Sequence, residues 1–211
     1  MTRKRIGSFP LLVATLLLAS CRTTGDPSEG IQPPSDEAVT VDREEDPKQL
    51  EPPAEPPPVL PHAVRDESSR FEVRMPTPAR LEKDTFETEH GSFRTLSYMS
   101  KKENAVFVAT FNELPSDALA VANKRRQLLG ARDGSLASTG GELLEEFMLT
   151  VSGHPGLEMA VRVSGGFYRA RIVIANEGMY QVLVAADTEE IFSDLATAFL
   201  ESLIIENGAE P

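Results

Sequence analysis

The chain has 211 residues, 33 acidic against 21 basic side chains, a formal charge of −12 and one cysteine. Such a balance repels nucleic acid and anionic lipid headgroups, and a single thiol excludes a disulfide framework and a thiolate metal cage. Composition then changes sharply along the chain.

Arg3, Lys4 and Arg5 form a positive head, followed by an apolar run from Ile6 to Ala19 and a small-residue approach to Cys21. The run is shorter than the ~20 residues a helix needs to cross a bilayer, so it reads as a secretory signal over residues 1–20. Leu18-Ala19-Ser20-Cys21 resembles the lipobox of bacterial lipoproteins. The resemblance implies cleavage before Cys21 and a lipid on its thiol, the membrane anchor of the mature chain. Acyl chains add about 0.8 kcal/mol per buried methylene, and two or more anchor stably. Arg22 stands where an Asp would retain an enteric lipoprotein at the inner membrane, so the resemblance favours an outer-membrane site facing the periplasm.

Residues 22–66 hold ten of the sixteen prolines and eleven acids against four bases. No apolar period survives there, which predicts a disordered linker over residues 21–66. The tract "EPPAEPPPVLP" reads as a spacer, or alternatively as a docking ligand for a proline-reading partner.

From Glu67 aromatic and β-branched residues recur, enough for one folded domain over residues 67–206 with a short tail at 207–211. Phe71 to Met75 is an expected first strand closed by Pro76. "LEKDTFETE" and "SFRTLSYMS" flank the His90-Gly91 break as a pair, and Ala105, Phe107, Ala109 and Phe111 mark one face of the next strand. A helix is expected to start at Ser116 and to stop at Gly130. Gly165-Gly166 reads as a two-residue hairpin turn, setting Val163 against Tyr168, Val161 against Ala170, Met159 against Ile172 and Leu157 against Ile174. Asn176-Glu177-Gly178 reads as a three-residue loop, setting Ile174 against Tyr180, Ile172 against Val182 and Ala170 against Val184. Asp187 to Leu203 is an expected closing helix with Asp187 and Glu190 as a capping box. Strands, helix, strands, helix make an α+β domain, an antiparallel β-sheet flanked by helices.

This order, with "FEVRMP", "GHPGLEMAVRV", "GFYRARIVIANEGMYQVLVAA" and "IFSDLATAFLESLII", resembles the PsbP-like superfamily, which includes DcrB-like bacterial lipoproteins. The resemblance implies an α/β/α sandwich used as an accessory or scaffold module, with no shared catalytic residues to carry over.

Chemistry-bearing patterns are sparse. His62, His90 and His154 fall in the linker and in turns without ligand spacing, and Glu145-Glu146 point to opposite faces of a strand. No metal, cofactor or catalytic residue set is expected. The hairpin register instead opposes Arg162 to Arg169 and places Arg171 diagonally, with Glu158 diagonal to Arg171. Like charges so placed need an answer: Glu158 in part, a helix that packs over that face and supplies Glu or Asp, heads that snorkel to water, or an anionic ligand or partner. Lys124-Arg125-Arg126 is a second basic cluster, expected late in the first helix. The expected function is a non-enzymatic, lipid-anchored envelope protein whose domain binds or scaffolds an envelope protein. The alternatives are a lipoprotein hydrolase with an unrecognised site and a purely structural lipoprotein.

Overall fold

A computed structural model describes residues 58–88, 91–114, 123–175 and 178–206, all within one compact unit. The signal segment, Cys21, the body of the linker, His90, the expected helix start at Ser116, and the tail at 207–211 lie outside them.

Among the described residues ten strands form two antiparallel sheets. β1 (His62–Asp66), β2 (Phe71–Met75) and β10 (Ile204–Ile205) make a small sheet in the order β1-β2-β10. β3 (Arg80–Thr88), β4 (Gly91–Lys102), β5 (Ala105–Glu113), β6 (Glu142–Val151), β7 (His154–Val163), β8 (Gly166–Ala175) and β9 (Gly178–Ala186) make a large one, ordered β3-β4-β5-β9-β8-β7-β6. Helix α1 (Lys124–Thr139) packs on β7 and β8. Helix α2 (Asp194–Glu201), preceded by a 3₁₀ turn over Glu189–Phe192, packs on β9 and β2.

Both faces of the large sheet are therefore covered. One core holds Leu128 of α1 with Leu157, Met159, Ala170, Ile172 and Leu183. The other holds the small sheet, Phe199 and Leu200 of α2, and Phe107, Phe111, Val173, Tyr180, Val182 and Val184. Phe107 meets Phe199 edge to face at 5.3 Å, a geometry that adds about 0.5–1.5 kcal/mol beyond area burial. The architecture is the α+β arrangement of an antiparallel sheet between helices.

Several local expectations are corrected. The folded part begins with Leu60 buried and β1 paired to β2, ahead of the Asp66/Glu67 boundary drawn from composition. Prolines around a short strand lower mean hydropathy without preventing edge pairing. α1 runs through Gly130 and ends where Gly140 adopts φ +61, with Asn123 capping its start by accepting the Arg126 amide. Lys124, Arg125 and Arg126 are thus the first turn of α1, not a late one. The single closing helix expected over Asp187 to Leu203 is instead a 3₁₀ turn and a short α-helix, because Ser193 adopts extended backbone and caps α2 through the Ala196 amide.

Register also shifts. The β7–β8 turn is Ser164-Gly165, so Val161 faces Tyr168, Met159 faces Ala170 and Leu157 faces Ile172. This moves each partner by two residues and keeps the faces. Gly165 takes φ +95, while a Cβ on Gly166 would lie 2.4 Å from the Ala186 carbonyl, so Gly166 belongs to the strand. Between β8 and β9, Ala175 faces Gly178, Val173 faces Tyr180 and Ile172 faces Gln181. That one-residue change puts Ile172 and Val182 on opposite faces. Helices cover both sides, so both faces are apolar and alternation cannot select between registers.

Candidate functional site: the arginine face

Arg162, Arg169 and Arg171 share one face of β7 and β8, but the structure does not bring them together as an open patch. In the observed register Arg169 faces Ala160, Arg171 faces Glu158, and Arg162 faces Phe167. Glu158 thus lies between Arg169 and Arg171, and its side chain is 1% exposed.

Each guanidinium converges two nitrogens on one oxygen of the carboxylate. Arg169 donates from Nε to Glu158 Oε1 at 2.7 Å, with Nη2 at 2.6 Å from the same oxygen. Arg171 donates from Nε to Oε2 at 2.8 Å, with Nη2 at 2.7 Å. One carboxylate is shared by two guanidinium forks, a geometry the planar guanidinium suits and lysine does not. Helix α2 closes over the top: Arg169 Nη1 donates to Thr197 Oγ1 at 2.9 Å and Arg171 Nη1 to the Leu200 carbonyl at 3.0 Å. The last carbonyls of a helix lack intrahelical donors, so Arg171 also satisfies the C-terminal turn of α2.

Arg162 stands apart. It is half exposed, donates to Glu142 Oε2 on β6 at 3.0 Å and stacks over Phe167 at 5.7 Å. The arginine motif is therefore two internal struts and one surface pair. What answers the like charges is the neighbouring strand's Glu158, with a hydroxyl and a carbonyl from the helix.

Other charged groups are similarly engaged. Glu145 and Glu146 do point to opposite faces: Glu146 accepts two hydrogen bonds from Arg132 of α1, at 2.9 and 2.7 Å, while Glu145 is exposed. The Glu146 hydrogen bond leads in raising the Arg132 guanidinium above its ordinary pKa. His154 is the first residue of β7 opposite Val151, and the turn is Ser152-Gly153 with both φ values positive. His62 lies in β1.

Sequence reasoning missed a polar knot between the sheets. Asp66 accepts from the Ser69 amide at 2.8 Å, the Ser68 hydroxyl at 2.6 Å and the Tyr98 hydroxyl at 2.7 Å. Burial raises the Asp66 pKa, but these donors outweigh it and hold the carboxyl below its ordinary value. Burial first, and then the Asp66 carboxylate, push the Tyr98 hydroxyl up to about 12. The Asp-x-Ser-Ser order over Asp66 to Ser69 is a recognisable turn signal, but no local pattern announces Tyr98 as the partner. Beside this knot lies an open depression of about 540 Å³ lined by Pro61, His62, Arg65, Pro78, Ala79 and Tyr98. Arg65 there is tied to Glu206 at 2.6 Å. Among the described residues no group of three His, Cys, Asp or Glu side chains is placed to hold a metal, and no helix is long and apolar enough to cross a membrane.

No protein-family model and no curated protein matches the chain. Among solved structures it is similar to the solution structure of cyanobacterial PsbP (CyanoP) from Synechocystis sp. PCC 6803, at 12% identity and a TM-score of 0.46. The match covers 69% of this chain and 92% of that one.

Proposed function

We propose that the protein is a lipoprotein anchored through Cys21, probing the envelope with a non-catalytic binding or scaffold domain on a proline-rich, acidic tether. The observation that carries the reading is the Arg169–Glu158–Arg171 clamp beneath α2. The buried charges of this face are spent on each other and on the helix, which supports a domain that works through its surface. The lipobox residues Leu18 to Cys21 support the anchor, and Arg22 favours the outer membrane, facing the periplasm. Between Cys21 and β1 lie about forty residues, a reach of about 35 Å as a flexible coil and up to about 120 Å as polyproline II. That length lets the domain meet a protein partner away from the membrane plane.

The test has two parts. Metabolic labelling with palmitate is expected to mark the wild-type chain and to leave Cys21→Ala as an unlabelled precursor; a labelled mutant overturns the anchor. In-cell crosslinking of the lipidated protein, read by mass spectrometry, is expected to capture a reproducible envelope protein. Capture of none favours a structural lipoprotein instead.

A further inference from the structure

The geometry points to β6 as a strand-acceptor edge. An extended segment of a partner protein, carrying two adjacent apolar residues and a Lys or Arg two places after them, adds antiparallel to residues 145–151 and extends the large sheet. This names the contact surface of the binding domain proposed above and rests on that reading.

β6 is the last strand of the large sheet, and among the described residues no strand pairs with its outer side. An edge strand presents a row of unpaired amides and carbonyls, the template for strand addition. The register of β6 on β7 shifts between Leu143 and Glu145, so regular pairing runs from Glu145 to Val151. In the middle of that run Phe147 is 47% and Met148 41% exposed. Successive strand residues point to opposite faces, so these two flank the edge above and below. Their neighbours across the ladder on β7, Glu158 and Leu157, are both 0% exposed. Two large apolar side chains are thus left open beside buried neighbours.

The opposite edge strand, β3, carries charges of both signs in Arg80, Glu82, Lys83 and Asp84, whereas the charges of β6 are all glutamates.

Charge selects the occupant. Glu142 and Glu146 are held by Arg162 and Arg132, but exposed Glu145 makes no ion pair among the described residues. A cation opposite Glu145, with apolar residues opposite Phe147 and Met148, satisfies all three positions. Antiparallel pairing then orders the partner as apolar, apolar, any residue, basic. A second copy of this chain brings the same glutamates and a formal charge of −12, and leaves Glu145 without a cation.

The test uses the full lipidated chain in detergent micelles and a fluorescent synthetic peptide of alternating Thr and Val containing an Ile-Ile pair and a Lys two places later. Saturable binding is expected, weakened about tenfold or more when Glu replaces the Lys, which corresponds to 1.4 kcal/mol per tenfold. Glu145→Lys is expected to reverse that preference, and N-methylation of the amides facing β6 to abolish binding. Equal binding of the Lys and Glu peptides, binding that survives N-methylation, or no binding at all overturns the proposal. So does a dimer in sedimentation that Phe147→Lys dissociates, which assigns the edge to a second copy. Should Phe147→Lys unfold the chain by circular dichroism, Met148→Lys on the other face carries the same test. Undiminished partner capture by a folded edge variant in cells overturns the β6 surface and leaves the binding reading standing; no capture by the wild type overturns the reading itself.

Discussion

Glu158 shows how little a single residue's environment can be read from its neighbours in sequence. Its side chain is buried and bound on each oxygen by an arginine fork. Removing one member of such a cluster leaves buried charge uncompensated, at a cost of about 3–5 kcal/mol, whereas an apolar replacement of the whole cluster is often neutral or stabilising. Glu158→Gln is therefore expected to lower the urea midpoint strongly without changing the slope. A triple variant with Glu158→Leu, Arg169→Met and Arg171→Met is expected to recover most of that loss. If partner binding is also measured, the recovered triple variant should still bind, because the clamp is a strut beneath α2 and lies outside the proposed edge.

At the scale of elements, two glycines that look alike in sequence do opposite things. Gly130 sits inside α1, where a Cβ would meet nothing within 4 Å. Gly130→Ala is expected to stabilise the protein by about 0.5–1 kcal/mol by removing backbone freedom from the unfolded chain. Gly166 opens β8 against the Ala186 carbonyl, where a Cβ would lie at 2.4 Å from backbone oxygen. Gly166→Ala must displace β9 and is expected to cost about 1–3 kcal/mol, as overpacking does, with loss of hydrogen-exchange protection in β8 and β9. Thermal melts of the pair give shifts of opposite sign if this account holds. Gly130 reads as a helix stop only when a local rule is applied without the sheet that holds the helix on.

At the scale of the whole molecule, tyrosine hydroxyls tie the small sheet to the large one: Tyr98 donates to Asp66 and Tyr180 to the Ser69 carbonyl at 2.8 Å. The Tyr98 hydroxyl is raised from 10.0 to about 12 by burial and by Asp66, so its protonated form is the one folding favours. Its contribution is complete below pH 10 and is lost as pH rises through 12. Asp66 is lowered from 3.8, so its contribution is present above that value and is lost as pH falls through the depressed one. Stability measured against pH should fall at both ends, and Tyr98→Phe should flatten the alkaline fall. An unchanged alkaline limb in Tyr98→Phe removes the hydroxyl from the account.

The sequence alone carried the α+β class, the pairing of β3 with β4 around the 90–91 break and of β7 with β8, and the buried side of β5. These rest on local alternation and turn chemistry, which act over a few residues. It could not carry the β7–β8 and β8–β9 registers, the passage of α1 through Gly130, or the partners of Arg169 and Arg171. Each depends on what lies above and below the sheet: with helices on both faces, both sides of β9 are apolar, and the period that specifies a one-sided strand vanishes. The arginines were visible as a cluster from their spacing alone. Only the tertiary structure decided that Glu158 sits between two of them, because a register set by backbone pairing, two residues from the expected one, determines which charge faces which.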